Sequence, residues 1–510
     1  MPRPSQFLRH ALLGGDPVVA VVTLATLALH LALAGRYDIF RNELYFIICG
    51  RHPAFGYVDQ PPLVPLIAAA TQLFGESVWL LRLPAVLAGV ALVPLTADFA
   101  RRLGGSSGSA RLAACAAALA PALVGLAGIT TTESFEPLAW TLVAYWLWRG
   151  IVEQEDRALF WAGLAAGIAM ETKYGMAIWL LALALGVLAT QSRRVLARRA
   201  LWLAMALGLV IAVPSLIWQA VEGWPFLALL AHHNEPGVIF TGTPVQFARG
   251  QVLAMNLILA PLWLSGLVAP FVLGRLAPAR FLAIGYVGAL VIIYASGGKD
   301  YYLFPAYPTL FALGAAACAG FGRWVLGGWI GLAAANAALA APIVLPILDP
   351  PALAAFLDRY HLHPPPDEAA AVGAPLTQVF SDELGWRELE QRVAGIYQAL
   401  PEDDRQHATI LASNYGEAAA IDFYGTEDRL PRAATGQDQY YLWGPGAPDA
   451  SIVIHVNGDP DRWRRLCESV EVVGEFGVAY AMPYESGRPI FLCRGLRHPL
   501  GEFWDRLRRY

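Results

Sequence analysis

Apolar residues in the first 349 positions come in long runs separated by short polar segments. Runs of roughly 15 to 22 residues recur near 17–35, 80–99, 110–128, 134–149, 158–172, 174–190, 201–220, 251–273, 281–296, 302–320 and 324–347, and helices of that length cross a hydrocarbon core about 30 Å thick. The pattern predicts an α-helical polytopic membrane protein with about eleven transmembrane helices. Beyond Asp349-Pro350-Pro351 the pattern changes. Strand-like runs such as Thr409-Ile410-Leu411-Ala412 and Ile452-Val453-Ile454-His455-Val456 alternate with helix-like ones such as 384–400, which predicts a small α/β domain over 350–510 following a membrane domain over 1–349.

Composition supports the division. Hydrophobic residues make up 56% of the chain and charged residues 15%, with mean hydropathy +0.47, values outside the soluble globular range. Residues 350–510 hold 24 of the 40 acidic and 15 of the 36 basic residues. A net charge of −4 gives no reason to invoke nucleic acid.

The first apolar run follows Arg3, Arg9 and His10 without a small-residue cleavage site, so it reads as a retained anchor with a cytoplasmic N-terminus. That orientation puts Arg101, Arg102, Arg111, Arg149, Arg157, Arg193, Arg194, Arg198, Arg199, Arg275, Arg280 and Arg323 in cytoplasmic loops, where basic residues collect. An odd number of spans then puts the C-terminal domain outside. Asp38, Glu43, Asp59, Glu76, Glu133, Glu136, Glu171, Glu222, Glu235 and Asp300 fall on or near the outer face, as do the chain's two lysines, Lys173 and Lys299, which are either chance survivors of Arg replacement or phosphate ligands.

Acidic groups beside hydrocarbon are costly unless they serve a wet site, so the loop over roughly 36–79 is the first place to look for chemistry. It is too long for a plain connection and predicts short helices at the interface. The second outer segment, 221–250, holds His232-His233-Asn234-Glu235. Adjacent histidines on a helix point apart, so at most one of the two is a metal ligand. Gly298-Lys299-Asp300-Tyr301-Tyr302 is a glycine turn ending in charge and aromatics, read either as a site or as an interfacial anchor.

Taken together, Arg41-Asn42-Glu43-Leu44-Tyr45, Gly56-Tyr57-Val58-Asp59-Gln60-Pro61-Pro62, Thr132-Glu133, Thr172-Lys173-Tyr174, Gly298-Lys299-Asp300-Tyr301-Tyr302 and Asn414-Tyr415-Gly416-Glu417 resemble bacterial members of glycosyltransferase family 39. These are relatives of the protein O-mannosyltransferases and of the lipid A aminoarabinose transferase, all with the GT-C membrane fold. The resemblance implies transfer of a sugar from a polyprenyl-phosphate donor to a hydroxyl on a lipid, glycan or protein acceptor, at the outer face of the cytoplasmic (inner) membrane. It implies a catalytic carboxylate in the first loop. The family has Asp-Glu where this chain has Asn42-Glu43, and an amide cannot take a proton at neutral pH, so Glu43, Asp38 or Glu133 is expected to serve. A divalent metal cation is implied at Asp59 with His232 or His233. Gln60 stands where the aminoarabinose transferases carry a phosphate-binding lysine, which leaves Lys173, Arg249 or Lys299, with Tyr301 or Tyr302, to supply the contact.

Two other readings stay open: a non-catalytic sugar-lipid binding protein of the same fold, encouraged by Asn42, and a transporter, which would show paired repeats and midplane charge. In the C-terminal domain, Asn414-Tyr415-Gly416-Glu417 reads either as an acceptor contact or as a strand-to-helix connection. Cys467 and Cys493 share that domain, and an oxidising compartment would permit a disulfide.

Overall fold

The computed structural model describes residues 16–233, 235, 242–362 and 372–510. Arg3, Arg9, His10 and Asn234 lie outside the described residues.

Each of the eleven apolar windows is occupied by helix, but prolines divide some of them. Pro121 breaks the third into Ser107–Leu119 and Pro121–Leu126, and Pro305 sits in a 3-10 turn, Asp300–Ala306, that precedes Tyr307–Ala317. Among the described residues four helices are long and apolar enough to cross a membrane: Val78–Arg102, Arg199–Val221, Gly274–Ala295 and Arg323–Val344. The count reaches six if two bent pairs are each one span. These are Met176–Leu188 with Gln191–Ala197, bent by 105°, and Pro244–Ala254 with Leu257–Val272, bent by 98°.

The chain divides into two compact units. The first comprises Met1–Arg36, Trp79–Ile217 and Thr241–Ile347. Its core is aromatic and small by turns: Trp140 and Trp179 stack with centroids 5.0 Å apart, and the Trp179 indole donates to the Trp140 carbonyl at 3.1 Å. Helices Ala260–Val272 and Tyr307–Ala317 cross where Gly266 meets the Leu310 backbone and Gly314 meets that of Leu262. A Cβ at either glycine would lie within 2.2 Å of a carbonyl oxygen, the close approach that small residues permit between membrane helices.

The second unit comprises Tyr37–Val78, Trp218–Phe240 and Leu348–Tyr510. The first loop folds as expected into short helices, Arg41–Arg51 and Leu63–Gln72. They cross at Gly50, where any side chain would strike the Pro65 carbonyl. Five strands, β1 (Ala408–Ala412), β2 (Ala433–Ala434), β3 (Ile452–Val456), β4 (Cys467–Phe476) and β5 (Arg488–Leu496), form one sheet in the order β2-β1-β3-β5-β4. β1 pairs in parallel with β2 and β3, while β5 runs antiparallel to β3 and β4. β1 and β3 are buried throughout, which is why they read as continuous apolar runs rather than as alternating ones. A disulfide joins Cys467 on β4 to Cys493 on β5.

Candidate active site

In the second unit, helix Arg41–Arg51 begins at Phe40, whose extended backbone leaves its N–H pointing into the first turn. Glu43, fully buried, reaches back and accepts that N–H through Oε2 at 2.9 Å. It therefore satisfies a donor that the helix start leaves over. Asn42 is half-buried, and its Oδ1 accepts the Tyr415 hydroxyl at 2.7 Å. Arg41 donates its backbone N–H to the Asp382 carbonyl at 3.1 Å, places its guanidinium 3.6 Å from the Asp382 carboxylate, and hydrogen-bonds Tyr484. The guanidinium also lies 5.1 Å from the Tyr415 ring centroid. Asp38, half-buried, accepts the Ile39 N–H at 2.8 Å and the Tyr424 hydroxyl at 3.3 Å.

The turn after this helix is fixed just as firmly. The Tyr57 N–H donates to the Gln60 carbonyl at 2.9 Å, and Gln219 Nε2 donates to the Tyr57 carbonyl at 2.8 Å. Asp59, half-buried, accepts the Tyr45 hydroxyl at 2.8 Å, and the Gln439 N–H in turn donates to that hydroxyl at 3.2 Å. Beside it the Gln60 side chain is 2% exposed, and neither its Nε2 nor its Oε1 has a hydrogen-bond partner among the described residues. Buried amides are almost always satisfied, so an orphaned one asks for a ligand.

His232 and His233 close helix Pro225–His233, and His232 Nδ1 faces Glu235 Oε2 at 3.2 Å. Among the described residues no three His, Cys, Asp or Glu side chains are gathered to hold a metal ion. Asp59 is engaged with Tyr45 and His232 with Glu235, and no step below passes through a cation.

Asn414 caps helix Tyr415–Tyr424, its Oδ1 taking the N–H groups of Gly416 and Glu417 at 2.9 and 3.0 Å. The strand-to-helix reading of this motif therefore holds, while Tyr415 reaches Asn42. Glu417 accepts from the Ser413 N–H and from Asn457 Nδ2, each at 2.6 Å, and Asn414 Nδ2 donates to Glu485 at 2.8 Å. Burial pushes both carboxyls up, Glu485 well above the usual carboxylate range with the Glu417 charge adding to the effect. Burial also lifts Asp422 to about 6, although the Ala433 N–H and the Tyr440 hydroxyl both donate to it.

In the first unit, Glu133 and Glu136 stand three residues apart in the first turns of helix Thr132–Ile151, on one face. Lys173 Nζ lies 2.8 Å from Glu133 and 3.3 Å from Glu136, and 4.7 Å from the Tyr302 ring centroid. The lysine expected to meet phosphate is thus already flanked by two carboxylates, a cluster of net charge −1 when all three are ionised. Lys299, 7% exposed, sits 5.7 Å from the Tyr301 ring centroid, and the Asp300 carbonyl accepts from Gln251 at 2.8 Å. Arg249 is exposed on helix Pro244–Ala254. Glu136 and Glu485 were not singled out from the sequence as site residues. Only Glu136 carried a signal, its three-residue spacing from Glu133.

Residues 59–218 match the sequence profile of the dolichyl-phosphate-mannose-protein mannosyltransferase family. That segment includes Asp59, Gln60, Glu133 and Lys173 and begins after Asn42-Glu43. The structure is similar to that of ArnT from Cupriavidus metallidurans, both in the apo state (18% identity, TM-score 0.62) and bound to undecaprenyl phosphate (18% identity, TM-score 0.60). Each alignment covers 93% of this chain and 97% of that one. It is also similar to the oligosaccharyltransferase of Archaeoglobus fulgidus tethered with an acceptor peptide (13% identity, TM-score 0.51, covering 89% of this chain and 70% of that one). No curated protein matches the chain by sequence. The fold is that of the GT-C membrane glycosyltransferases, the class that the resemblance in the outer loops implied.

Proposed function

We propose that the chain transfers a sugar from a polyprenyl-phosphate carrier to an acceptor hydroxyl at the outer face of the cytoplasmic membrane. The observation that carries this reading is Gln60: a buried amide with both polar atoms unpartnered, at the position where the family resemblance expects a contact to the donor phosphate. An amide supplies a donor group and an acceptor group side by side, which suits a phosphate oxygen beside a sugar hydroxyl.

The acceptor oxygen must lose a proton as it attacks the anomeric carbon, to a base within about 2.6–3.2 Å. Glu43 is enclosed and holds the Phe40 N–H, a positioning task for helix Arg41–Arg51. Asp59 is half-buried, steadied through one oxygen by Tyr45, and next in sequence to Gln60. Proton acceptance is assigned to Asp59.

Native mass spectrometry of protein purified in mild detergent tests the donor class: a co-purifying polyprenyl phosphate or its glycosylated form is expected, and a preparation that neither carries nor binds one would refute the reading. Asp59→Asn should bind the carrier yet turn over at least 100-fold more slowly, as expected for loss of a general base. Near-normal turnover would remove Asp59 from the role. Asn42, an amide tied to Tyr415 where an aspartate is expected, favours the second reading of a non-catalytic binding protein. The same preparation would then hold the carrier without ever transferring its sugar.

A further inference from the structure

Within the first unit, at the end that the arginine asymmetry assigns to the cytoplasm, several helix ends enclose a cavity of about 920 Å³. Contributors are the end of Thr132–Ile151, the turn after Met176–Leu188 with the 3-10 segment Gln191–Ala197 and Arg198 just beyond it, and the junction between Ala260–Val272 and Arg280–Ala295. Arg193, Arg194, Arg198 and Arg280 line it, and no aspartate or glutamate does.

The neighbouring carboxylates are committed elsewhere. Asp156 pairs with Arg198, Glu153 with Arg102 and Arg149, and Glu155 with Arg149. Arg280 gives Nε to the Pro270 carbonyl at 3.0 Å. Among the described residues, Arg193, Arg194 and Arg280 have no carboxylate partner, so the cavity holds three uncompensated positive charges. All three are exposed, so their guanidinium groups are open to an anion from solution.

The surroundings fix the level of the cavity in a bilayer. The backbone carrying Arg193 and Arg194 turns 105° from the apolar helix before it, as a segment lying along a membrane surface does. Trp202, 54% exposed, donates its indole N–H to the Leu196 carbonyl at 2.8 Å, and exposed indoles of membrane proteins collect at headgroup depth. Phe271 lines the cavity, and Leu188 and Val272 adjoin lining residues in sequence; all three are exposed, an apolar border suited to acyl chains.

We propose that this cavity binds the phosphate headgroup of an anionic phospholipid, with arginines on the phosphate oxygens and the acyl chains along the apolar rim. Guanidinium groups suit this task because they meet phosphate through paired donors and stay charged, and basic pockets between membrane helices on the cytoplasmic side are where such headgroups lodge.

The test is native mass spectrometry of the full chain in detergent, titrated with phosphatidylglycerol and with phosphatidylcholine of the same acyl chains. Phosphatidylglycerol should bind selectively, and R193Q/R194Q/R280Q should weaken it roughly 100-fold while leaving phosphatidylcholine unaffected. Arg323→Gln, outside the cavity, should change neither. Equal binding of the two lipids, or unchanged phosphatidylglycerol binding in the triple variant, overturns the proposal. So does displacement of the lipid by millimolar inorganic phosphate, which would assign the cavity to a free anion. Should the triple variant not fold, Arg194→Gln alone, expected to weaken phosphatidylglycerol about 5-fold, decides by the same reading.

Discussion

Replacing Gln60 by methionine separates a residue kept for the fold from one kept for a ligand. Methionine matches glutamine in chain length and lacks its amide fork, so the packing around residue 60 changes little. What changes is the amide, which is 2% exposed and unpartnered in the lipid-free chain. A buried polar group without a partner costs about 1–3 kcal/mol. Gln60→Met should therefore raise the stability of the lipid-free protein by up to that amount. The order reverses once the carrier lipid is present. A ligand at 100 times its dissociation constant adds about 2.7 kcal/mol, and losing one hydrogen bond to a charged phosphate removes about 1.5–3 kcal/mol of binding energy, a 10- to 150-fold weaker complex. Thermal unfolding of the full chain in detergent, with and without undecaprenyl phosphate, reads both effects. The expected result is a crossing: the variant melts higher without lipid and gains much less from it. A variant that melts lower without lipid, and is stabilised by it as fully as wild type, would show that Gln60 serves the fold alone.

Three further outcomes follow from neighbouring geometry. Glu43→Ala should lose about 1–2 kcal/mol, since it strands the Phe40 N–H, whereas Glu43→Gln keeps an acceptor there and should melt close to wild type; equal losses would exclude the capping role. Lys173→Met should cost about 3–5 kcal/mol by leaving Glu133 and Glu136 without their shared cation, and adding Glu133→Gln and Glu136→Gln should restore most of it, as judged by melting and monodispersity. Stability should fall as pH rises from about 4 to about 7, because Asp422, lifted to about 6, Glu390, lifted to about 7, and Glu485, raised well above its usual value, hold protons in the folded chain that the unfolded chain releases earlier, outnumbering buried His455, which is held down to about 3 and acts in the opposite sense. The slope should flatten in Glu485→Gln, and a melting temperature that climbs across this range would contradict it.

Helix positions and the α/β character of residues 350–510 were legible because both follow from the spacing and length of apolar runs, which local sequence records directly. The span count was less so. Pro121 and Pro305 cut windows that hydropathy alone reads as continuous. The outer loop could be recognised as the place for chemistry from Asn42, Glu43, Asp59 and Gln60, yet their partners could not. Tyr415 on Asn42, Gln439 on Tyr45 and the Asp382–Tyr484 clasp on Arg41 lie hundreds of residues away, and no local period encodes a contact of that separation. Lys173 shows a local pattern that went unread. The sequence left that lysine open between a chance survivor and a phosphate ligand because the spacing of Glu133 and Glu136 was not read as one helical face pointing at it.

The clasp between Asn42 and Tyr415 spans 373 residues, and that separation becomes a waiting time during synthesis. At about 5–20 residues per second, the first loop must pass roughly 20–75 seconds before the strand-and-helix segment that completes its unit has been made. Throughout that interval Arg41, Asn42 and Tyr45 lack the partners that the C-terminal segment gives them. Quality-control proteases and folding helpers would meet the nascent chain in that window, so a lesion near residue 415 should reveal itself first as poor accumulation of the protein, even where the part made earlier is unaltered.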